Sequence, residues 1–222
     1  MRKISALASL SLFIFTFSIC AQEKASKLAE KKVNQRPADP VMAEPFDKTT
    51  AAAMKEKCVT LETEAGFIEL EIFPESAPET VRNFLNLTAI GAFDTTTFSR
   101  VVPDFVIQGG NLSTRETMTE KLAARARKTI LDEPNQILHQ RGILSMARPD
   151  TPNGASTSFF ILIGDAPNLD GKFAAFGRVT RGMETVDAIN KMPVNGDKPE
   201  KPVRVKKAAV IACPVKNETV NQ

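Results

Sequence analysis

Histidine occurs once in this chain, at His139, and tryptophan and tyrosine are absent. His139 has no local cysteine or histidine partners of the kind that build a metal site, so a zinc or similar centre is not expected. A Ser/His/Asp arrangement would have to use the same residue, and no Gly-x-Ser-x-Gly elbow occurs, so hydrolase chemistry is not expected either. Cysteine is sparse, with three in 222 residues and no Cys-x-x-Cys pair. A phosphate loop is also missing. Gly164-Asp-Ala-Pro-Asn-Leu-Asp-Gly-Lys172 puts six residues between its glycines and Phe173 where a Ser or Thr should follow the lysine, so it reads as an ordinary loop. The apolar run from Leu10 to Ile19 is too short to serve as a permanent membrane span.

The ends of the chain are more informative. Arg2 and Lys3, the apolar run and then Cys20-Ala21 ahead of a charged stretch have the layout of an export leader. The expectation is a signal peptide over 1–21, cleaved after Ala21, and an exported, periplasmic protein with no transmembrane span in the mature chain. The alternative is a lipid anchor on a membrane through Cys20, which Ile19 disfavours because a small residue is wanted there. Removing the leader leaves 27 basic against 26 acidic residues, a net charge of +1, which does not call for a polyanionic partner. The basic clusters at 121–128 and 198–207 carry no interleaved aromatics, so no nucleic acid is expected as a partner. The sequons at Asn86 and Asn111 matter only in a eukaryotic secretory route and are set aside.

Residues 22–57, rich in Ala, Lys, Glu and Pro, lack an apolar stripe wide enough to bury and read as a flexible linker. Val59, Leu61 and Thr63, then Ile68, Leu70 and Ile72 beyond Glu64-Ala65-Gly66, alternate as a β-hairpin with one buried face. Pro78, Val81, Phe84, Leu85 and Thr88, stopped by Gly91, mark an amphipathic helix. Strand character follows over 93–105, 142–147, 158–163 and 173–179. Met183, Val186 and Ile189 give a second helix, and Val203 to Ala212 a last strand. Between them, 113–129 is a polar insertion that is either a short helix behind the capping box Thr117-Met-Thr-Glu120 or a surface loop. Short strands with two firm helices point to a mainly β fold, an antiparallel sheet or barrel. Cys58 and Cys213 either pair or sit as small buried hydrophobes.

The stretch with most chemistry is Phe98-Ser-Arg-Val-Val-Pro-Asp-Phe-Val-Ile-Gln-Gly-Gly-Asn111. It reads as strand, kink, strand, with one cation, an amide and two aromatics, and its two glycines let the backbone turn or approach a ligand closely. A plain apolar strand with one solvated arginine would fit the same residues.

That stretch, with Arg141-Gly-Ile-Leu-Ser-Met-Ala-Arg, Ser156-Thr-Ser-Phe-Phe-Ile and Leu169-Asp-Gly-Lys-Phe-Ala-Ala-Phe-Gly in the same order, closely resembles the cyclophilin-type peptidyl-prolyl cis-trans isomerases, and the layout of the ends suggests the exported bacterial kind. The resemblance covers 58–215, leaving 216–222 as a C-terminal tail. It implies a closed eight-stranded antiparallel β-barrel capped by two α-helices, with the active groove on the barrel's outer surface. It assigns the catalytic role to Arg100, with Gln108 holding a substrate carbonyl. Phe105, Val106, Met146, Phe160, Leu169 and Phe173 would wall a slot for the proline ring, and Ala147 and Arg148 would offer backbone hydrogen bonds. The expected partners are proline-containing polypeptides met by a monomeric enzyme that requires no metal or cofactor. The first strand would lie antiparallel to the last, which brings Cys58 towards Cys213 as a disulfide.

The chain departs from the family pattern at Ser99, Ser158 and Asn168, where His, Gln and an aromatic are usual. The groove is then more polar, high affinity for cyclosporin-type inhibitors is in doubt, and a peptide-binding or holdase module with weak or no isomerase activity is the competing reading.

Overall fold

The computed structural model describes residues 44–214. The expected signal peptide with Cys20, the first part of the linker and the tail 216–222 lie outside the described residues. The linker does not run to residue 57. Thr50 caps a short helix α1 (Ala51–Lys55) by accepting from the Ala53 N–H, and Met54 on that helix is fully buried. Phe46 N–H donates to Asn86 Oδ1 at 2.7 Å, and Arg82 donates to the carbonyls of Phe46 and Thr49. Composition missed this because the docking is carried by polar groups of another helix rather than by an apolar stripe on the segment itself.

β1 (Lys57–Thr63) and β2 (Gly66–Ile72) form the expected hairpin, paired from Cys58↔Glu71 to Thr63↔Gly66. α2 (Pro78–Ala89) follows, with Val81, Phe84, Leu85 and Thr88 buried. Its N-cap, Ala77, has no side chain to offer, and the Glu133 carboxylate takes the Glu79 and Thr80 N–H groups instead, at 3.0 and 2.7 Å. An acidic group suits that end of a helix.

The later strands are β3 (Arg100–Val102), β4 (Val106–Gly109), β5 (Ile143–Met146), β6 (Phe159–Leu162), β7 (Ala175–Arg181), a small hairpin of β8 (Val194–Asn195) and β9 (Lys198–Pro199), and β10 (Val205–Ala212). Helix α3 (Glu120–Ala126) lies in the insertion and α4 (Met183–Asn190) after β7. α3 is capped by Thr119, two residues later than the sequence indicates, because the Thr119 hydroxyl meets Leu122 N–H. Leu122 and Ala126 pack on the core, whereas Met118 stays exposed.

The expectations of a closed barrel and of only two helices need correction. Eight strands make one curled antiparallel sheet in the order β10-β1-β2-β7-β5-β6-β4-β3, and the described residues hold four α-helices. The edge strands β3 and β10 share no ladder. The segments ahead of them meet at the isolated bridge Thr97↔Arg204, with Phe98 N–H donating to Val203 O at 2.9 Å, Thr95 N–H to Val205 O at 2.8 Å and Val205 N–H to Thr96 O at 2.8 Å. The sequence 93–105 does not deliver one long strand, since Phe93 to Ser99 runs through a turn and irregular backbone and Pro103 ends β3 after three residues. The outer edge of β3 is met instead by the β8–β9 turn, through Val101 N–H to Asp197 O at 2.8 Å.

Inside the sheet, Phe84 meets Phe93, Phe159 and Phe176 with ring centroids 5.1 to 5.3 Å apart, and aliphatic side chains from every long strand surround them. Cys58 and Cys213 are joined by a disulfide with Cα atoms 4.8 Å apart, at the end of the β1–β10 ladder. Gly109 and Gly110 let the backbone pack closely against its neighbours: a Cβ on Gly110, at φ +80°, would lie 2.4 Å from Thr157 O.

Arg141 ties the approach to β5 to α4, donating to Ile163 O and to Asp187 Oδ2 at 2.7 Å each. Hydrogen bonding from Arg141 lowers the Asp187 carboxyl below its ordinary range. A carboxyl lowered in the folded state contributes stability above its unfolded pKa of about 3.9, and loses it as pH falls through the folded value. Melting curves should therefore show Asp187→Asn less stable than wild type near neutrality, with the gap closing below about pH 4. A gap that persists in acid would mean the pair's ionisation contributes nothing.

Candidate active site

Register gathers the site. Arg100 pairs with Gln108 across β3 and β4, Gln108 with Phe160 across β4 and β6, and Phe160 with Ser145 across β6 and β5. Directly opposed residues on antiparallel strands project to the same face, so the four form one row across the sheet. The same face carries a second apolar cluster, separate from the core, that includes Val106, Phe160 and Leu162, with Val102, Phe105, Ala147, Leu169 and Phe173 half-buried against it.

Each member is held by its own local structure. The turn between β3 and β4 closes through Phe105 N–H to Val102 O at 3.1 Å, with Asp104 left-handed at φ +58°. Asn190, at the end of α4, accepts from Asp104 N–H and donates to Val102 O, fixing the turn that presents Phe105. Phe173 meets Phe160 edge-on at 6.0 Å, and the Arg148 guanidinium lies over the Phe173 ring at 5.1 Å.

Of the residues named from the sequence, the structure brings together Arg100, Gln108, Phe105, Val106, Phe160, Leu169, Phe173, Ala147 and Arg148. Met146 is the exception. Strand alternation turns it to the other face, opposite Phe159, where it packs in the main core instead of walling the groove. Ala147 also has less to offer than expected, because its N–H already donates to Ser158 O at 3.0 Å.

Arg100 is 41% exposed and its Nε donates to Asp197 Oδ2 at 2.8 Å. Its two terminal nitrogens and the Gln108 amide find no hydrogen-bond partner among the described residues, so both are open to a ligand. Beside Gln108 a groove of about 290 Å³ runs between Ala147 to Pro149 and Gly154 to Ser158. Its wall is braced from the insertion: Ser156 Oγ donates to Ala126 O, and Asn83, held by Arg125, donates to Ser156 O. A larger hollow of about 510 Å³ lies elsewhere, between Glu64-Ala65, Met192-Pro193 and Glu200 to Val203. It has no comparable convergence of cation, amide and aromatics, and volume alone does not define a site. Ser99 and Ser158 are half-buried and Asn168 is exposed at the rim.

Two features are not legible in the sequence. The first is Asp197, whose only local signal is the turn-forming Asn195-Gly196 before it. The second is a buried Ser/His/Asp chain. His139 Nδ1 lies 3.1 Å from Asp170 Oδ1 and Nε2 lies 3.1 Å from Ser145 Oγ. Asp170 also accepts His139 N–H at 2.7 Å, and this bond is the main reason its carboxyl lies below its ordinary range. Ser145 and His139 are buried, and Ser145 Oγ lies 2.9 Å from Ala174 O, so no substrate reaches the hydroxyl. The chain instead pins the loop that carries Leu169 and Phe173.

Comparison with known proteins supplies the activity. Residues 58–210 match the family described as cyclophilin type peptidyl-prolyl cis-trans isomerase/CLD. The isomerase cypE of Dictyostelium discoideum is 40% identical over 70% of this chain and 98% of its own length. A peptidyl-prolyl cis-trans isomerase of Acinetobacter baylyi is 34% identical over 70% of this chain and 86% of its own, and CYP23 of Arabidopsis thaliana is 39% identical over 61% of each. A crystal structure of a cyclophilin-type isomerase of Cryptosporidium parvum, obtained in the presence of the dipeptide Ala-Pro, superposes with a TM-score of 0.62 at 29% identity, covering 70% of this chain and 99% of that one. With its outer-face row of Arg100, Gln108 and Phe160 over an apolar cluster, this chain belongs to the cyclophilin-type peptidyl-prolyl cis-trans isomerase family.

Proposed function

We propose that this isomerase binds the proline ring of an extended peptide on Phe105, Val106, Phe160, Leu169 and Phe173 and uses Arg100 to weaken amide resonance. The peptide C–N bond resists rotation by ~20 kcal/mol because the nitrogen lone pair is delocalised into the carbonyl. As the bond twists, the lone pair returns to a pyramidal nitrogen. A guanidinium N–H directed at that atom binds it more tightly than in either planar form, which is the requirement for catalysis. Arginine suits the role because it remains charged and offers a rigid fork of donors. Gln108 holds the carbonyl of the residue before proline, and Arg148 supplies backbone groups on the acyl side.

The observation that carries this reading is the juxtaposition of Arg100 and Gln108, both with unpartnered donors, beside an apolar cluster on an outer sheet face. An Ala-Pro dipeptide with the Cryptosporidium parvum relative is consistent with a small proline slot. Exchange NMR on an X-Pro peptide tests it. The cis and trans resonances should broaden with catalytic amounts of protein, and the Phe105 and Phe160 side chains should shift on titration. Acceleration without those shifts would place the ring elsewhere.

We further propose that the clients are exported proteins, since the leader-like residues 1–21 and the Cys58–Cys213 disulfide both fit an oxidising compartment. Expressed with its leader in a bacterium, the protein should be recovered from the periplasm with Gln22 as its first residue by mass spectrometry. A cytoplasmic product retaining Met1 would overturn this.

A further inference from the structure

Asp197 stands at the tip of the β8–β9 hairpin, where the pairs Val194↔Pro199 and Asn195↔Lys198 leave Gly196-Asp197 as a two-residue turn. Gly196 has φ +65°, the positive value that such tight hairpin turns require. The hairpin is docked on β3 through Val101 N–H to Asp197 O at 2.8 Å, so the main chain of Asp197 is fixed one residue from Arg100. Its side chain then accepts from Arg100 Nε at 2.8 Å. Two attachments, one backbone and one side-chain, thus join the turn to the strand bearing the guanidinium.

The pair is exposed, at 41% for Arg100 and 59% for Asp197, and an exposed ion pair adds little to stability. Its effect on geometry is larger. A guanidinium carries its donors in one rigid plane, so anchoring Nε sets that plane and leaves both terminal nitrogens as the free edge. An unanchored arginine on an exposed edge strand would sample many orientations, and a donor that must meet a nitrogen only as it pyramidalises gains from being held in place beforehand.

We propose that Asp197 is a positioning residue for the isomerase reaction, holding Arg100 by Nε so that its terminal N–H groups face the prolyl nitrogen. This rests on the assignment of Arg100 as the group acting on that nitrogen. The direction of the effect is diagnostic. Charge alone would make removal of a neighbouring carboxylate strengthen the cation and speed the reaction, whereas orientation makes the same removal slow it.

The test uses the full-length protein and an X-Pro peptide, with exchange NMR at saturating peptide for the rate on the enzyme and titration for Kd. Asp197→Ala should slow the bound rate by roughly 5- to 10-fold and change Kd by less than about twofold. Asp197→Glu, which keeps the carboxylate, should recover part of the loss. In an Arg100→Ala background, Asp197→Ala should change nothing further. A faster or unchanged Asp197→Ala, with Arg100→Ala impaired, overturns the proposal and leaves the Arg100 assignment standing. An equal fractional loss in both backgrounds makes the hairpin merely structural and also overturns it. Full activity in Arg100→Ala removes the assignment itself, and the proposal with it.

Discussion

Arg100→Ala is expected to lose about two to three orders of magnitude in catalysed X-Pro exchange, the scale on which removal of one donor aimed at a transition state acts. The loss should fall on the rate of the bound peptide. On the proposed reading the proline ring rests on the apolar cluster of Val106, Phe160 and their half-buried neighbours, which the substitution leaves in place, so Kd should change little. The fold should survive too, because Arg100 is part-exposed on an edge strand and its one side-chain partner among the described residues is the surface carboxylate of Asp197. Arg100→Lys makes the test sharper. It keeps the charge but replaces the planar fork with a mobile ammonium, so it should recover only a small part of the rate. Full activity in Arg100→Ala would mean that burial of the ring and the hold on the carbonyl suffice. If, in addition, Arg100→Ala suppressed aggregation of a proline-free client as well as wild type does, the groove would be acting as a docking surface.

Loss of the Cys58–Cys213 disulfide should be the largest single change in stability. The crosslink spans 155 residues, nearly the whole described domain, and on chain-entropy grounds a loop of that size contributes about 4–5 kcal/mol by restricting the unfolded chain. In a domain of this size that corresponds to a fall of about 10–15 °C in Tm. The bond also secures a sheet edge. β10 pairs with β1 alone, and the last recorded backbone hydrogen bond of the pairing, Cys213 N–H to Glu56 O at 3.1 Å, lies beside the crosslink. The Cys58→Ala/Cys213→Ala double variant should melt lower by that amount, and reductant should lower wild type to a similar midpoint while leaving the double variant unchanged. Isomerase activity well below the transition should persist, since Arg100, Gln108 and Phe160 lie on β3, β4 and β6, at the far side of the strand order. A reductant-insensitive midpoint in wild type would show that the bond is absent in solution or that the loop entropy is recovered elsewhere.

The groove stretch was legible because its information is local. Alternation of β-branched residues, Pro103 as a strand end and paired glycines specify strand, turn, strand, and Arg100 and Gln108 fall opposite each other once that turn is set. The α2 face and the Phe-rich core are legible for the same reason, as periodicity is a property of the residues themselves. Near the bulge beside Ser145 the facing of a side chain is not a local property. Met146 is apolar and adjacent to groove residues in sequence, yet pleating turns it into the core. The folded segment 44–57 is not legible locally because its anchors, Asn86 and Arg82, lie some 30 to 40 residues away.

By itself the sequence determined a mainly β domain, its principal helices and the family the chain belongs to. These depend on side-chain type and short-range spacing. The Cys58–Cys213 pairing was already implied by the family resemblance, whereas only the tertiary structure decided that the sheet stays open between β3 and β10, that His139 is spent on pinning a loop, and that Asp197 meets Arg100 across 97 positions of sequence. Each of these is a distance between remote residues, fixed by strand order and register, which no local pattern encodes.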